Sequence, residues 1–170
     1  SEMNNAQQIQ ALQSGHIDVG LLHPPVIVGE RFRERLLTRE PLIAALPANL
    51  HTSGKDQISL AEIARHGLVM FPQSHLPAFN ARILEAFRVQ SLHVHVSQEA
   101  NRTLTVLACV AAGLGIALLP SWIQDLAFDG VRYCRIENGD CLPSFDLSVV
   151  WRGSSTPSLA QRFVEAIHPI

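Results

Sequence analysis

Apolar positions along the chain alternate between helical spacing and short continuous runs. A helix is predicted from Asn5, as N-cap with Gln8 at the reciprocating position of a capping box, to Gly15. The strand that follows, residues 17–22, ends at two consecutive prolines, which cannot continue a central strand. This alternation of helix and strand continues almost throughout the chain and predicts an α/β fold with a mostly parallel sheet.

The rest of the chain gives the same two signals. Apolar runs predict strands that are buried on both faces, and apolar residues three and four apart predict amphipathic helices. Ser59 and Glu62 form an S-x-x-E capping box, whereas residues 31–39 are polar and mixed. Leu159, Phe163 and Ile167 are expected to share one face of the last helix. The further predicted strands are 41–46, 68–71, 92–96, 116–119, 131–136 and 145–151, and the further predicted helices are 60–67, 77–90, 101–113, 120–123 and 157–167.

The amino-acid composition excludes several classes of protein. The 170 residues are 47% hydrophobic and 16% charged, which is enough apolar material for a packed core. The net charge is −2 and the 13 basic residues are scattered, so the chain has no basic footprint for nucleic acid. The most apolar stretch, residues 104–120, is shorter than the roughly 20 residues that a membrane-spanning helix needs. Three cysteines without a C-x-x-C spacing fit a reducing cytoplasm.

Motifs for catalysis and for cofactors are not found in the sequence. It contains no G-x-S-x-G, H-E-x-x-H, P-loop or kinase signature. Gly113 and Gly115 resemble part of a dinucleotide-binding turn, but Leu118 occupies the third glycine position. The turn also leads from helix to strand, which is the wrong order for that motif. We therefore predict no catalytic residues and no cofactor.

Two pairs of residues carry weak signals for metal or redox chemistry. His93 and His95 would share one face of a strand and could ligate a metal, but no further ligand is apparent, so an exposed strand face is favoured. Cys134 and Cys141 could form a redox pair, but nothing marks either thiol as activated. No metal site is predicted.

Several segments, in order along the chain, are similar to the effector-binding domain of LysR-type transcriptional regulators. The resemblance covers essentially the whole chain, and its strength comes from the agreement of these segments in order and spacing. The segments are EMNNAQQIQAL at 2–12 with GHIDVG at 15–20, EPL at 40–42, LVMFP at 68–72, CVAAGLGIALLP at 109–120, and VWR at 150–152 with AQRF at 160–163.

The resemblance implies a two-lobed α/β fold of the type 2 periplasmic-binding-protein kind, with mostly parallel sheets and helices on both faces. Lobe one would comprise 1–39 plus 133–170, lobe two would comprise 40–132, and the effector would bind in the cleft between them. The family's first strand and helix, and its winged helix-turn-helix, are expected to lie outside this chain. The resemblance therefore implies a bacterial, cytoplasmic regulator that is a homo-oligomer at full length and contacts DNA only through that N-terminal domain, with no membrane partner.

Candidate binding residues follow from where ligands bind in open α/β sheets, at the carboxyl ends of strands and near helix N-termini. Such termini favour an anion, so we expect a small organic effector, a carboxylate in particular. The candidates are Asn4, Asn5, His23, Phe71, Gln73, Ser74, His75, Asn101 and Thr103. For some of these a structural role is an open alternative: Asn5 and Asn101 as N-caps, Thr103 at its own helix start, Phe71 in the core.

Three functions are compatible with this architecture. In a regulator, the effector shifts the equilibrium between two conformations and so alters how the DNA-binding domains are presented. A solute-binding protein of a transport system is the alternative, and it would need an export signal. An enzyme on the same scaffold is disfavoured because no nucleophile–base pair or metal set can be assembled.

Overall fold

The computed structural model describes residues 3–25, 29–53, 56–153 and 159–167. The chain forms two compact units: unit one comprises 1–39 and 146–170, and unit two comprises 40–145. In chain order the helices and strands are α1 (Asn5–Ser14), β1 (Val19–Leu22), β2 (Phe32–Glu40), β3 (Leu42–Pro47), β4 (Gln57–Ile58), α2 (Leu60–His66), β5 (Leu68–Met70), α3 (Pro77–Val89), β6 (Val96–Glu99), α4 (Thr103–Ala111), β7 (Ala117–Pro120), β8 (Val131–Ile136), β9 (Phe145–Arg152) and α5 (Leu159–Ala166), with short 3-10 helices at Ser121–Asp125 and Gly139–Cys141.

The described residues of unit one form a three-stranded sheet in the order β1-β9-β2, with a helix on each face. Successive side chains of a strand point to opposite faces, so neighbouring β9 residues enter different cores. Val150 packs with Leu12 of α1, and Val149 packs with Val164 of α5. Strand β9 therefore packs against both α1 and α5.

A glycine lets α1 approach β1 closely. A Cβ atom at Gly20 would lie 3.1 Å from both Gln8 Oε1 and Leu12 Cδ1, which is tighter than normal packing allows. The buried Gly20 thus permits the helix to lie directly against the strand.

The sheet of unit two has the order β4-β8-β3-β7, and β5 and β6 form a parallel pair beside it. A parallel bridge between Leu68 and Ile116 joins β5 to the start of β7. Strand β3 is buried along its whole length, as its continuous apolar run predicts. Its alternate residues enter two cores: Leu42, Ala44 and Leu46 pack in the core that contains α2 and α3, and Ile43 and Ala45 pack in the core that contains α4.

Strand direction differs from the expectation of mostly parallel sheets. Among the described pairs, β1–β9, β3–β7 and β3–β8 are antiparallel, whereas β4–β8 and β5–β6 are parallel. Strand β8 pairs with β3, with Cys134 opposite Ala44, and so belongs to the sheet of unit two. The expected second lobe boundary, after residue 132, falls within β8, and the two units separate after Phe145.

Several element predictions needed correction. The polar segment 31–39 was assigned no strand, but it contains most of β2, in which only Leu37 is fully buried. The predicted strand 92–96 is displaced, since β6 begins at Val96. On α5 the buried residue is Val164, and Ile167 packs against the same core as predicted, but Leu159 and Phe163 are 84% and 55% exposed, so the predicted apolar face was wrong at these two positions. The predicted start of this helix near residue 157 lies outside the described residues.

Candidate functional site

The carboxyl ends of β5 and β6 lie side by side at one edge of the sheet in unit two. Met70 is paired with Glu99, and the Ala100 N–H donates to the Met70 carbonyl at 3.0 Å. Because the strands are parallel, the segments that follow them lie at the same edge. This edge brings together the six predicted residues of unit two: Phe71, Gln73, Ser74, His75, Asn101 and Thr103.

Helices α3 and α4 both begin at this edge. Their N-cap residues are Leu76 and Arg102, and within the described chain neither cap forms a side-chain hydrogen bond. Pro77 at the start of α3 has no N–H to satisfy, and the first turns of both helices contain no acidic residue among the described residues. The remaining first-turn N–H groups carry partial positive charge and can bind an acceptor.

Asn101 was expected to cap α4, and this expectation was wrong. The N-cap is Arg102, and Asn101 is exposed one residue outside the helix. The reason is the register of β6, which stays paired with β5 up to Glu99, so that the chain turns away from the sheet over residues 100–102. Thr103 is half-buried as the first residue of α4.

Phe71 is partly buried and packs against the core that contains α4. Its carbonyl accepts a hydrogen bond of 2.8 Å from the Nδ2 of Asn80, a residue that is only 3% exposed. Asn80 was not among the residues predicted from the sequence. A polar residue next to Phe79, on the apolar side of a predicted helix, was the signal that could have identified it. Asn80 fixes the strand end of β5 relative to α3.

Gln73, Ser74 and His75 form a turn in front of α3. The His75 N–H donates to the Pro72 carbonyl at 2.9 Å, and Gln73 Nε2 lies 3.3 Å from the Pro77 carbonyl. Gln73 and Ser74 are exposed and His75 is half-buried. Three polar side chains therefore stand directly before the N-terminus of α3.

A small cavity lies beneath this edge, between β5, α3 and α4. Its volume is about 10 Å³, room for about one water molecule. A larger ligand would therefore bind on the outer, solvent-facing side of the edge. Among the residues that line the cavity are Met70, Phe71, Phe79, Asn80 and Val106.

In unit one, the N-terminus of α1 is capped by Asn4. The Gln7 N–H donates to Asn4 Oδ1 at 2.9 Å, and the Asn4 N–H donates to Gln7 Oε1 at 3.0 Å, which completes a capping box. A capping box was predicted at this helix start and is present. Its assignment to Asn5 and Gln8 was wrong by one residue, since Asn4 and Gln7 form it.

Asn5 and Gln8 bind the backbone of β1 instead. Asn5 Nδ2 donates to the His23 carbonyl at 2.7 Å, and the His23 N–H donates to Asn5 Oδ1 at 3.1 Å. Gln8 makes the same pair of bonds to Leu21, each of 2.8 Å. Two side-chain amides therefore occupy the backbone groups that an adjacent strand would otherwise pair with.

His23 lies at the end of β1 and is half-buried. Its Nδ1 lies 2.9 Å from the Asp146 carbonyl, and burial lowers the pKa of the imidazole although this backbone hydrogen bond raises it. Asp146 also forms a salt bridge with Arg39, whose Nε lies 3.5 Å from Asp146 Oδ2. His23 is thus tied to the first residues of β9.

The described residues contain neither a metal-binding cluster nor a membrane-spanning helix. No group of three or more histidine, cysteine or acidic side chains there could hold a metal ion. The helices of the same residues are too short or too polar to cross a bilayer.

Comparison with known proteins places the chain in a family. A family model described as the LysR substrate binding domain matches residues 1–169. The chain is 28% identical over 152 residues to the HTH-type transcriptional regulator CatR of Pseudomonas putida, a match that covers 87% of this chain and 50% of that protein. It is 32% identical over 153 residues to the regulator IlvR of Caulobacter vibrioides, which covers 89% of this chain and 50% of that protein. The chain thus spans about half the length of these relatives.

Solved structures agree with this fold. CbnR, a LysR family transcriptional regulator, superposes with a TM-score of 0.82 at 19% identity, covering 98% of this chain and 57% of that chain. The BenM effector binding domain, solved with its effector benzoate, gives 0.76 at 22% identity, covering 98% and 77%. The architecture is that of an α/β binding domain of the periplasmic-binding-protein type, which confirms the predicted fold class. The chain belongs to the LysR substrate binding domain family, as the sequence resemblance indicated.

Proposed function

We propose that this chain is the domain through which a bacterial LysR-type regulator senses a small organic anion. The observation that carries the proposal is the edge of β5 and β6, where α3 and α4 begin with no side-chain cap and no first-turn acid among the described residues. Membership of a family of substrate-binding domains supports it, and so does the benzoate effector of the BenM domain.

Helix electrostatics give the size of the expected preference. Each helix N-terminus favours a nearby anion by about 0.3–1 kcal/mol, so two termini contribute on the order of 0.6–2 kcal/mol. This corresponds to a preference of roughly 3- to 30-fold for the anion over an uncharged ligand of the same shape. Such a preference distinguishes anionic ligands from uncharged ones. The side chains of the site determine which anion binds.

In unit two, we assign the direct contacts to Gln73, Ser74, His75, Asn101 and Thr103, which supply polar groups beside the two helix starts. Phe71 supplies an apolar surface at the same edge, since it is only partly buried.

In unit one, the side chains of Asn4 and Asn5 already bind backbone groups, and His23 binds Asp146. We therefore assign these three a positioning role, in which they fix the end of β1 and the start of α1.

Effector binding acts on the rest of the regulator through a difference in affinity between two conformations, with a coupling of about 1–3 kcal/mol. In this proposal the full-length protein is a cytoplasmic homo-oligomer that binds DNA through a separate domain, and the chain catalyses no reaction. The relatives are named as HTH-type transcriptional regulators, which favours a regulator over a solute-binding protein of a transport system.

Isothermal titration of the chain with small carboxylates tests the proposal. Benzoate, tartrate and pyruvate represent aromatic, hydroxy and oxo acids, and benzamide is the uncharged analogue of benzoate. We expect at least one acid to bind. Gln73→Ala or Ser74→Ala should weaken that binding by about 2- to 10-fold, the loss of one hydrogen bond.

Gln124→Ala is the matched control, because Gln124 is an exposed glutamine of the same unit, outside the predicted site. Its affinity should equal that of the unmodified chain. Failure of all three acids to bind, or binding that Gln73→Ala and Ser74→Ala leave unchanged, would contradict the proposed site.

A further inference from the structure

A second concave surface lies at the opposite edge of the unit-two sheet, where β5 and β7 begin. These strands are parallel at the Leu68–Ile116 bridge, so Gly67 and Gly115, which precede them, lie at the same edge. Strand β3 runs antiparallel to β7 and therefore ends at this edge, at Pro47. This edge lies at the opposite end of β5 from the strand ends that carry the proposed effector site.

A pocket of about 470 Å³ is formed at this edge. Its volume falls within the range of about 300–1,000 Å³ that is usual for small-molecule sites. Pro47, Leu50 and Ile116 give it an apolar wall, and Asn49, His51 and His66 bring polar groups to the same space. An apolar wall with a few convergent polar groups is the usual composition of a binding pocket.

The ionisable groups of the pocket point to the charge of its ligand. Among the described residues that line it, the ionisable ones are His51 and His66, and none is acidic. Arg132 also donates to the Leu50 carbonyl at 2.8 Å, which holds a guanidinium behind the wall. Basic side chains, with no acid among the described lining residues, favour a ligand that accepts hydrogen bonds and carries negative charge.

Gly113 keeps the pocket open. Its φ of 77° is in the left-handed region, and a Cβ atom there would meet nothing within 4 Å. The hydrogen bonds from Gly113 N–H to the Val110 carbonyl and from Leu114 N–H to the Cys109 carbonyl form a Schellman turn that ends α4. The turn that ends α4 therefore also contributes a residue without a side chain to the pocket.

We propose that this pocket is a second small-molecule site, which binds an organic anion with an apolar body between His51, His66 and the wall of Pro47, Leu50 and Ile116. The pocket shares no residue with the proposed effector site and lies at the opposite end of β5. A ligand here binds whether or not the edge of β5 and β6 is occupied.

Proton NMR of the histidine rings tests the site directly. Benzenesulfonate is the probe, because it is anionic at any working pH, and benzenesulfonamide is its uncharged analogue. We expect the ring signals of His51 and His66, assigned with His51→Ala and His66→Ala, to move when benzenesulfonate is added at millimolar concentration. Each of these substitutions should weaken binding by about threefold or more.

Gly113→Asn provides a test that leaves both histidines in place. Asparagine tolerates the left-handed region, and its side chain would occupy pocket volume, so binding should weaken. Gly29→Asn is the matched control, since Gly29 also has a positive φ, 84°, with nothing within 4 Å of a Cβ, and lies in unit one. Thermal denaturation of both variants verifies that they are folded.

Three results would overturn the proposal: stationary His51 and His66 signals, equal binding of benzenesulfonamide, or equal binding by Gly113→Asn and Gly29→Asn. Gln73→Ala should leave the binding of benzenesulfonate to this pocket unchanged. A negative result for the pocket can therefore be distinguished from a negative result for the proposed effector site.

Discussion

His23 makes the stability of the chain depend on pH. Burial lowers the pKa of its imidazole below the ordinary value of 6.5, with the hydrogen bond to Asp146 acting in the opposite direction. The folded chain therefore takes up a proton at lower pH than the unfolded chain does. The stability that the neutral imidazole contributes is present above the unfolded pKa and is lost as pH falls through that value towards the folded pKa.

His23→Gln should reduce this loss of stability. Between about pH 7.5 and pH 5.5, the free energy of unfolding should fall less in the variant than in the unmodified chain. Urea denaturation at both pH values measures the difference. His16→Gln is the control, because His16 is exposed, and it should keep the pH dependence of the unmodified chain. Equal pH dependence in His23→Gln and the unmodified chain would show that His23 is not the responsible group.

The N-terminus of α1 shows why residue roles were predicted with an error of one position. Asn4 and Asn5 are both good N-caps, and Gln7 and Gln8 both fit the reciprocating position. The sequence alone makes the two registers nearly equivalent. The backbone of β1 decides between them, because it binds Asn5 and Gln8 and leaves the cap to Asn4.

At the scale of elements, the amides of Asn5 and Gln8 stabilise the free side of β1. Each is bonded to both the N–H and the carbonyl of one strand residue. Asn5→Ala and Gln8→Ala should each lower the free energy of unfolding by about 1–3 kcal/mol, because backbone groups lose their partners. Urea denaturation measures the effect.

Gln10→Ala is the control for helix propensity, since Gln10 is an exposed residue of the same helix. It should be neutral, or slightly stabilising, because alanine is the better helix former. Losses for Asn5→Ala and Gln8→Ala no larger than that of Gln10→Ala would show that the side-chain bonds contribute nothing.

The start of α4 allows binding and stability to be separated. Thr103→Asp places a negative charge in the first turn, which should stabilise the helix by about 0.3–1 kcal/mol. The same charge should repel an anionic effector, so the melting temperature should rise or stay constant while carboxylate affinity falls. Thr103→Asn, which adds no charge, is the control for size. Unchanged carboxylate binding by Thr103→Asp would exclude this helix start from the site.

Elements with a strong apolar pattern were predicted from the sequence. Elements whose conformation or buried face depends on packing against neighbouring elements were not. The runs at β3 and β5 identified buried strands because both faces of each are covered. Strand β2 was missed because only Leu37 is fully buried and the rest of FRERLLTRE contains many charges. On α5, periodicity favoured Leu159 and Phe163, but Val164 packs with Val149 of β9.

At the scale of the whole molecule, family and fold class followed from the sequence, whereas the arrangement of the site did not. Residues 71–76 and 100–102 are separated in sequence and become neighbours only because β5 and β6 are parallel and adjacent. The order of strands in a sheet results from packing over the whole sheet, so a local sequence pattern cannot predict it. The position of Asn80 on the apolar side of α3 could have identified it as a buried polar residue, but its bond to the Phe71 carbonyl depends on this packing.

An effector should also stabilise the folded chain as a whole. A ligand at a hundred times its dissociation constant adds about 2.7 kcal/mol to the free energy of unfolding. Thermal denaturation with and without a saturating carboxylate measures this gain in stability. The gain should be smaller for Thr103→Asp than for the unmodified chain. A compound that binds in titration but does not raise the melting temperature would be binding the unfolded chain equally well.

Amide NMR of the 15N-labelled chain shows directly whether the edge of β5 and β6 binds a small organic anion. A carboxylate that binds should move the amide signals of residues 71–76 and 100–105 most strongly, and the first-turn N–H groups of α4 should be among them. Benzamide should move them far less than benzoate. Shifts concentrated elsewhere in the chain, or of equal size with the uncharged analogue, would contradict the account.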